Sequence, residues 1–252
     1  MEYNFIKTEN KDNVGLIILN RPEVLNTLNE KMLEEIADAA ENYDKNPQIG
    51  AIIIQGSDKA FCAGLDVKEF SERINEFNNI LETFKTCFIR IHKIKKPIIA
   101  AAAGYVLGIG AELLLCADVI LATDSFRLAL PEISLGMIPG LGVLNKLIRT
   151  IGKAKAMEMA LCERAIMGDE AEKAGLISRI IPLPDLFEEA YKTAKRAADA
   201  PQFAARAIKE SVSIEENFEN TKGIEDVAMR NKVIINTEEF RNYIRNFNKA
   251  QK

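Results

Sequence analysis

The sequence predicts an α/β protein, a β/α core followed by a helical C-terminal subdomain. Three observations predict it. Short apolar runs bounded by turn residues alternate with helical hydrophobic spacing through the first half of the chain. Those runs are apolar throughout, as strands covered on both faces are, which favours parallel crossovers. From about Gly140 the runs give way to helical patterns.

Taken in order, Val14-Gly-Leu-Ile-Ile-Leu19 reads as a strand closed by the turn signal Asn20-Arg-Pro22. Asn29 is placed to cap a helix from Glu30 to about Asn42, with Met32, Leu33, Ile36 and Ala40 at helical spacing. Ala51-Ile-Ile-Ile-Gln55 reads as a buried strand ending in Gly56-Ser-Asp58. Lys96 to Ala101 reads as another, followed by a glycine turn and a helix through Glu112 to Ala117. Val119 to Ala122 gives a further strand. Helical spacing then runs from Lys153 to Leu161 and from Gly168 to a glycine stop at Gly175. Ile177 to Ile181 reads as a small strand, Asp185 as the cap of a helix toward Ala200, and Pro201 as the start of another through Ser213. The expected division is a core over 1–195 and a helical oligomerisation or lid subdomain over 196–252. Phe240, Tyr243 and Phe247 form a docking stripe in its tail.

Composition narrows the chemistry. The 252 residues are 48% hydrophobic and 28% charged, ordinary for a globular protein. A net charge of −4 gives no global basic field for nucleic acid or anionic membrane. His92 is the only histidine and is flanked by lysines that read as a solvated face, so neither a Ser-His-Asp triad nor a multi-histidine metal site is expected. Cys62, Cys87, Cys116 and Cys162 form no CxxC pair and read as buried free thiols. Met157, Met159 and Met167 read as packing. The N-terminus lacks a secretory pattern, and the uncharged stretch Ile98 to Ala111 is short and broken by glycines. A soluble cytoplasmic protein is therefore expected.

Two acids stand in apolar surroundings. Glu112 follows Gly104-Tyr-Val-Leu-Gly-Ile-Gly110-Ala and precedes Leu113-Leu-Leu-Cys116; Glu132 lies 132 − 112 = 20 positions on, in Leu130-Pro-Glu-Ile133. An ionised carboxylate in low dielectric must be paired, hydrated or neutralised, so such placement suits acid–base work. Two glycine turns, Ala60-Phe-Cys-Ala-Gly-Leu-Asp66 and Gly108-Ile-Gly110, permit close backbone approach to a ligand. Amide groups from two such turns would stabilise an enolate formed from a thioester. The bland reading makes Glu112 a helix N-terminal charge worth ~0.3–1 kcal/mol and Glu132 a turn residue. It explains either acid singly but not both beside the two turns.

The motifs Ala60-Phe-Cys-Ala-Gly-Leu-Asp-Val-Lys68, Lys96-Pro-Ile-Ile-Ala, Gly104 to Glu112, Pro131-Glu-Ile-Ser-Leu-Gly136 and Pro139-Gly140 follow in the order and spacing of the enoyl-CoA hydratase/isomerase (crotonase) superfamily. Asn20-Arg-Pro-Glu-Val-Leu-Asn26 and Ile151-Gly-Lys-Ala-Lys-Ala-Met-Glu-Met159 fit the same pattern, and the resemblance covers nearly the whole chain. It implies a crotonase-type spiral β/α core, a homotrimer or homohexamer, and an acyl-CoA substrate, with coenzyme A entering only as part of that substrate. By motif, the oxyanion donors are the backbone N–H groups of Leu65 and Ile109. Ala63, Asp66, Val67 and Lys68 fall where the family meets the CoA moiety, with Lys68 toward its nucleotide. Glu112 would orient and deprotonate water, Glu132 would exchange the proton at the α-carbon, and the backbone of Gly140 would line the water site.

The chain departs from the family at several positions. Ile109 replaces the usual glycine, Val143-Leu-Asn-Lys146 the frequent Gly-Thr-Gln-Arg, Leu161-Cys-Glu163 the common Leu-Thr-Gly, and Leu128-Ala129 the usual Phe-Gly. Altered acyl specificity is the expectation. Retention of Glu112 favours hydration over simple double-bond isomerisation, the nearest alternative. A non-catalytic protein that keeps the fold is the bland one.

Overall fold

The computed structural model describes residues 3–212 together with 228–229, 232–233, 236–238 and 240. Among them the strands form two sheets. The larger holds β1 (Ile6–Lys11), β2 (Val14–Leu19), β3 (Ala51–Gln55), β5 (Ile98–Ala102), β7 (Val119–Ala122) and β10 (Arg179–Ile180), paired in that order. The smaller pairs β4 (Ala60–Cys62), β6 (Tyr105–Leu107), β8 (Arg127–Ala129) and β9 (Ile166–Met167). β1–β2 and β8–β9 are antiparallel and every other pair is parallel. The chain gives β3, β5 and β7 to the large sheet and the strand following each to the small one, so successive turns stack as a spiral.

Helices cover both sheets. α1 (Glu30–Lys45) begins at Asn29, whose side chain accepts from the Met32 amide, and buries Met32, Leu33 and Ile36. α2 (Val67–Glu72) and α3 (Phe77–His92) follow β4. α3 buries Ile80, Phe84, Phe88 and Ile91, spaced for one helical face. α4 (Ile109–Leu114) follows β6, and α5 (Val143–Ile151), α6 (Lys153–Cys162) and α7 (Gly168–Lys173) pack beyond β8. The other face of the large sheet is covered by α8 (Leu186–Asp199). Its Ala190, Ala194 and Ala198 bring the helix close to Leu16, Ile53 and Ile99. Residues 202–212 are helical.

Several expectations need correction. Asp185 precedes α8 but makes no side-chain cap. The boundary drawn at 195/196 falls inside α8, which runs on to Asp199. Lys96 is not part of a solvated face. It is 1% exposed, and its Nζ donates to Tyr43 O at 2.5 Å and Asn46 O at 2.6 Å, tying the C-terminal end of α1 to β5. Burial pushes its pKa down. Cys62, Cys87 and Cys116 are buried, but Cys162 is exposed because it ends α6 at the surface. Met159 is buried, whereas Met157 and Met167 are exposed. Phe240 is buried, its ring 3.6 Å from where a Cβ on Gly136 would stand. Tyr243 and Phe247 lie outside the described residues. No helix among the described residues is long and apolar enough to cross a membrane.

Candidate active site

Three of the four strands of the small sheet, β4, β6 and β8, run parallel, and each ends in a turn into a helix. Their carboxyl ends therefore gather three turns at one edge, a usual place for a ligand in α/β architecture. β4 leads through Ala63-Gly64-Leu65 to α2, and β6 leads through Gly108 to α4. β8 leads into the 3₁₀ turn Pro131–Leu135, which carries Glu132. The Gly108 amide donates to Ala129 O at 2.9 Å, joining the last two.

Glycine sets the spacing between these turns. At Gly64 φ is +94°, and a Cβ there would stand 2.8 Å from Leu107 O, so only a bare α-carbon lets the first turn lie against the second. At Gly108 φ is +52°, and a Cβ would stand 2.6 Å from Glu132 Oε1. The acid of the third turn thus rests against the second.

Leu65 and Ile109 both line the resulting cavity. Leu65 bridges to Leu28 through its neighbours: the Leu28 amide donates to Gly64 O and the Asp66 amide to Leu28 O. In a parallel bridge this turns the N–H of Leu65 away from Leu28. Ile109 is the first residue of α4, where no carbonyl one turn earlier is available to its N–H.

The cavity encloses about 100 Å³. Ala63, Val67, Glu132 and Gly140 lie on its wall, as do Leu81 and Phe84 of α3. The wall is apolar, and Glu132 is 8% exposed. Burial is the main cause that pushes its pKa up to about 7, with the Glu163 charge adding to it. Among the described residues Glu132 Oε2 has no hydrogen-bond partner.

The other predicted residues are placed differently. Glu112 is fully buried in the first turn of α4 but is not part of the cavity wall. Its Oε1 lies 3.3 Å from His92 Nε2, while Oε2 has no partner among the described residues. Asp66 is committed to the scaffold: it caps α2 through the Glu69 amide and pairs with Arg21 at 2.8 Å. Lys68 is exposed in the first turn of α2, outside the cavity wall.

Sequence reasoning missed part of the wall. Ile80, Leu81 and Phe84 line the cavity from α3, and the i, i+4 apolar spacing of that helix is the signal that could have found them. It also missed His92, which nothing local links to Glu112.

Comparison with known proteins places the chain in a family. The model of the family described as enoyl-CoA hydratase/isomerase matches residues 9–252. The Mycobacterium tuberculosis protein named "Probable enoyl-CoA hydratase echA8" is 43% identical over 213 residues, 84% of this chain and 82% of its own. The mitochondrial enoyl-CoA hydratase of Pongo abelii is 40% identical over 213 residues, 84% of this chain and 73% of its own. The crystal structure of the enoyl-CoA hydratase from Bacillus anthracis superposes with a TM-score of 0.80 at 29% identity, covering 98% of this chain and 97% of that one. Two sheets fed alternately by one chain and likeness over nearly the full length lead to one assignment: the chain belongs to the enoyl-CoA hydratase/isomerase family and has the crotonase fold.

Proposed function

We propose that this protein adds water reversibly across the double bond of trans-2-enoyl-CoA thioesters, giving 3-hydroxyacyl-CoA. The observation that carries the reading is Glu132: a carboxyl on the wall of an apolar cavity shared with Leu65 and Ile109, poised near pH 7. The thioester oxygen accepts from the amides of Leu65 and Ile109, which draws electron density from the conjugated double bond. One such donor is worth ~10²–10³-fold in rate. Water, oriented by Glu112 and the backbone of Gly140, attacks Cβ as Glu112 takes its proton. The α-carbon receives a proton from Glu132, and proton exchange returns both acids to their starting states. General acid–base help of this kind supplies ~10²–10⁴-fold.

In this reading Ala63, Val67 and Lys68 follow the CoA moiety, with the exposed ammonium of Lys68 available to its phosphates. Asp66 serves indirectly by capping α2. The assembly is a homotrimer or homohexamer. A second reading, double-bond isomerisation by one acid, is favoured by a single fact: Glu132 lies on the cavity wall and Glu112 does not.

Incubation with crotonyl-CoA in ¹⁸O water tests both. Hydration puts the label on Cβ with loss of the conjugated absorbance. A shifted double bond in unlabelled product from a longer enoyl-CoA refutes hydration in favour of isomerisation, and no change in either substrate refutes both.

A further inference from the structure

Glu112 has neighbours that the chemistry above does not use. His92 closes α3, Cys116 lies just past α4, and Lys146 lies on α5. His92 Nε2 stands 3.3 Å from Glu112 Oε1, 3.7 Å from Cys116 Sγ and 3.5 Å from Lys146 Nζ. The cluster is anchored to the backbone. Cys116 Sγ donates to Glu112 O at 3.2 Å, and Lys146 Nζ donates to Leu115 O at 2.7 Å. The side chain of Glu112 is 0% exposed and that of His92 14%, so solvent screens their attraction little.

One ring nitrogen therefore faces an acceptor and a cation together. With a proton on Nε2, the imidazole donates to Glu112 Oε1. Without it, Nε2 accepts from Lys146 and the carboxylate loses its donor. A carboxylate held through one oxygen by a positioned donor keeps a defined rotamer, whereas a buried acid with two free oxygens does not.

We propose that His92 is a positioning residue for Glu112: its Nε2–H holds Oε1 and leaves Oε2 as the oxygen that engages the attacking water. The proposal deepens the hydration reading and rests on the role given to Glu112 there. Burial opposes the imidazolium, as does Lys146. Cys116 and Glu112 outweigh them and hold the His92 pKa up at about 9. The sign follows: a histidine whose pKa is raised stays doubly protonated, and so keeps Nε2–H, at neutral pH; as pH rises through about 9 the ring becomes neutral, and the Lys146 ammonium facing Nε2 favours the Nδ1–H tautomer, in which that donor is lost.

Because His92 is the only histidine, the tag-free protein gives one imidazole signal by NMR. In the wild type that signal titrates above the ordinary 6.5, and Glu112→Gln lowers its midpoint by about 1 pH unit or more. An imidazole that titrates identically in both overturns the proposal, whatever the substrate. In turnover, His92→Leu reduces kcat by about 10- to 100-fold with KM within about twofold. His92→Gln restores kcat to within about threefold, because its amide still donates, and lacks the wild-type decline at alkaline pH. A His92→Leu enzyme with wild-type kcat at every pH also overturns it. Should His92→Leu not fold, the NMR titration and His92→Gln decide. A wild type that hydrates no enoyl-CoA removes the hydration reading alone, and the imidazole titration still decides whether His92 and Glu112 are coupled.

Discussion

Glu132→Gln tests whether the cavity wall holds a strained acid. In the folded chain the Glu132 carboxyl titrates near 7, against an ordinary 4.5, because burial penalises its charged form. A carboxyl with a raised folded pKa binds its proton more tightly folded than unfolded. Its contribution to stability is full below pH 4.5 and is lost as pH rises through 7. The gap between those values, at 1.36 kcal/mol per pH unit, corresponds to roughly 3 kcal/mol. Glutamine cannot titrate. Any fixed difference in packing or hydrogen bonding between Gln and protonated Glu is the same at every pH, so only the pH-dependent part reports burial of charge. Urea unfolding of both proteins at one protein concentration, from pH 4.5 to 8.5, measures it. The variant should gain roughly 3 kcal/mol on the wild type across that range while turning over enoyl-CoA at least ~10²-fold more slowly. Stability curves that stay parallel with pH would refute the claim that Glu132 is desolvated on folding.

Three further outcomes follow from other positions. Gly108→Ala places a methyl 2.6 Å from Glu132 Oε1 at a φ of +52°, so activity should fall by ~10²-fold or more and stability by ~1–3 kcal/mol, read by initial rates and urea midpoints. A fully active variant would show that Glu132 acts from elsewhere. Lys96→Met removes the donor that holds Tyr43 O and Asn46 O and should cost about 1.5–3 kcal/mol; an unchanged urea midpoint would count against the buried bridge. In native protein at pH 8, a disulfide reagent should label Cys162 quickly and the other three cysteines slowly. Burial holds the thiols of Cys62 at about 12 and Cys87 at about 11, and four fast thiols would contradict the packing of β4 and α3.

What could be read from the chain divides along physical lines. Ala51–Gln55 and Val119–Ala122 are continuous apolar runs covered on both faces, and such strands announce themselves. The Asn29 cap is local chemistry and was equally legible. β1 was not: only Ile6 of its six residues is buried, so the strand is fixed by the register of its hairpin with β2 rather than by its own composition. β6 reads in the sequence as part of a glycine turn, because only pairing with β4 and β8 makes its three residues a strand. At the site, the turns and Glu132 were legible because glycine and a carboxylate in apolar company carry local meaning. Asp66, expected beside the CoA moiety, caps α2 and pairs with Arg21, 45 residues away in sequence, a contact that no local pattern encodes. The His92–Glu112 contact is long-range, and no spacing encodes it.

The contrast between Lys96 and the two glutamates separates a buried charge that the scaffold explains from buried acids that it does not. Lys96 is as buried as either acid, yet its ammonium has two carbonyl acceptors, and its place is explained by the scaffold it ties together. Glu112 faces His92 through Oε1, yet Glu112 and Glu132 each keep one buried oxygen without a partner among the described residues, so the scaffold satisfies neither carboxyl fully. A helix N-terminal charge explains Glu112 for at most ~1 kcal/mol and says nothing of Glu132, whose burial carries roughly 3 kcal/mol in the unfavourable direction at alkaline pH. On the proposed hydration reading, a chain that keeps such an acid against Gly108, where a methyl group would displace it, accepts lower stability for a proton that can be given up near pH 7. If Glu132→Gln proves more stable at pH 8 and inactive, cost and chemistry trace to the same carboxyl.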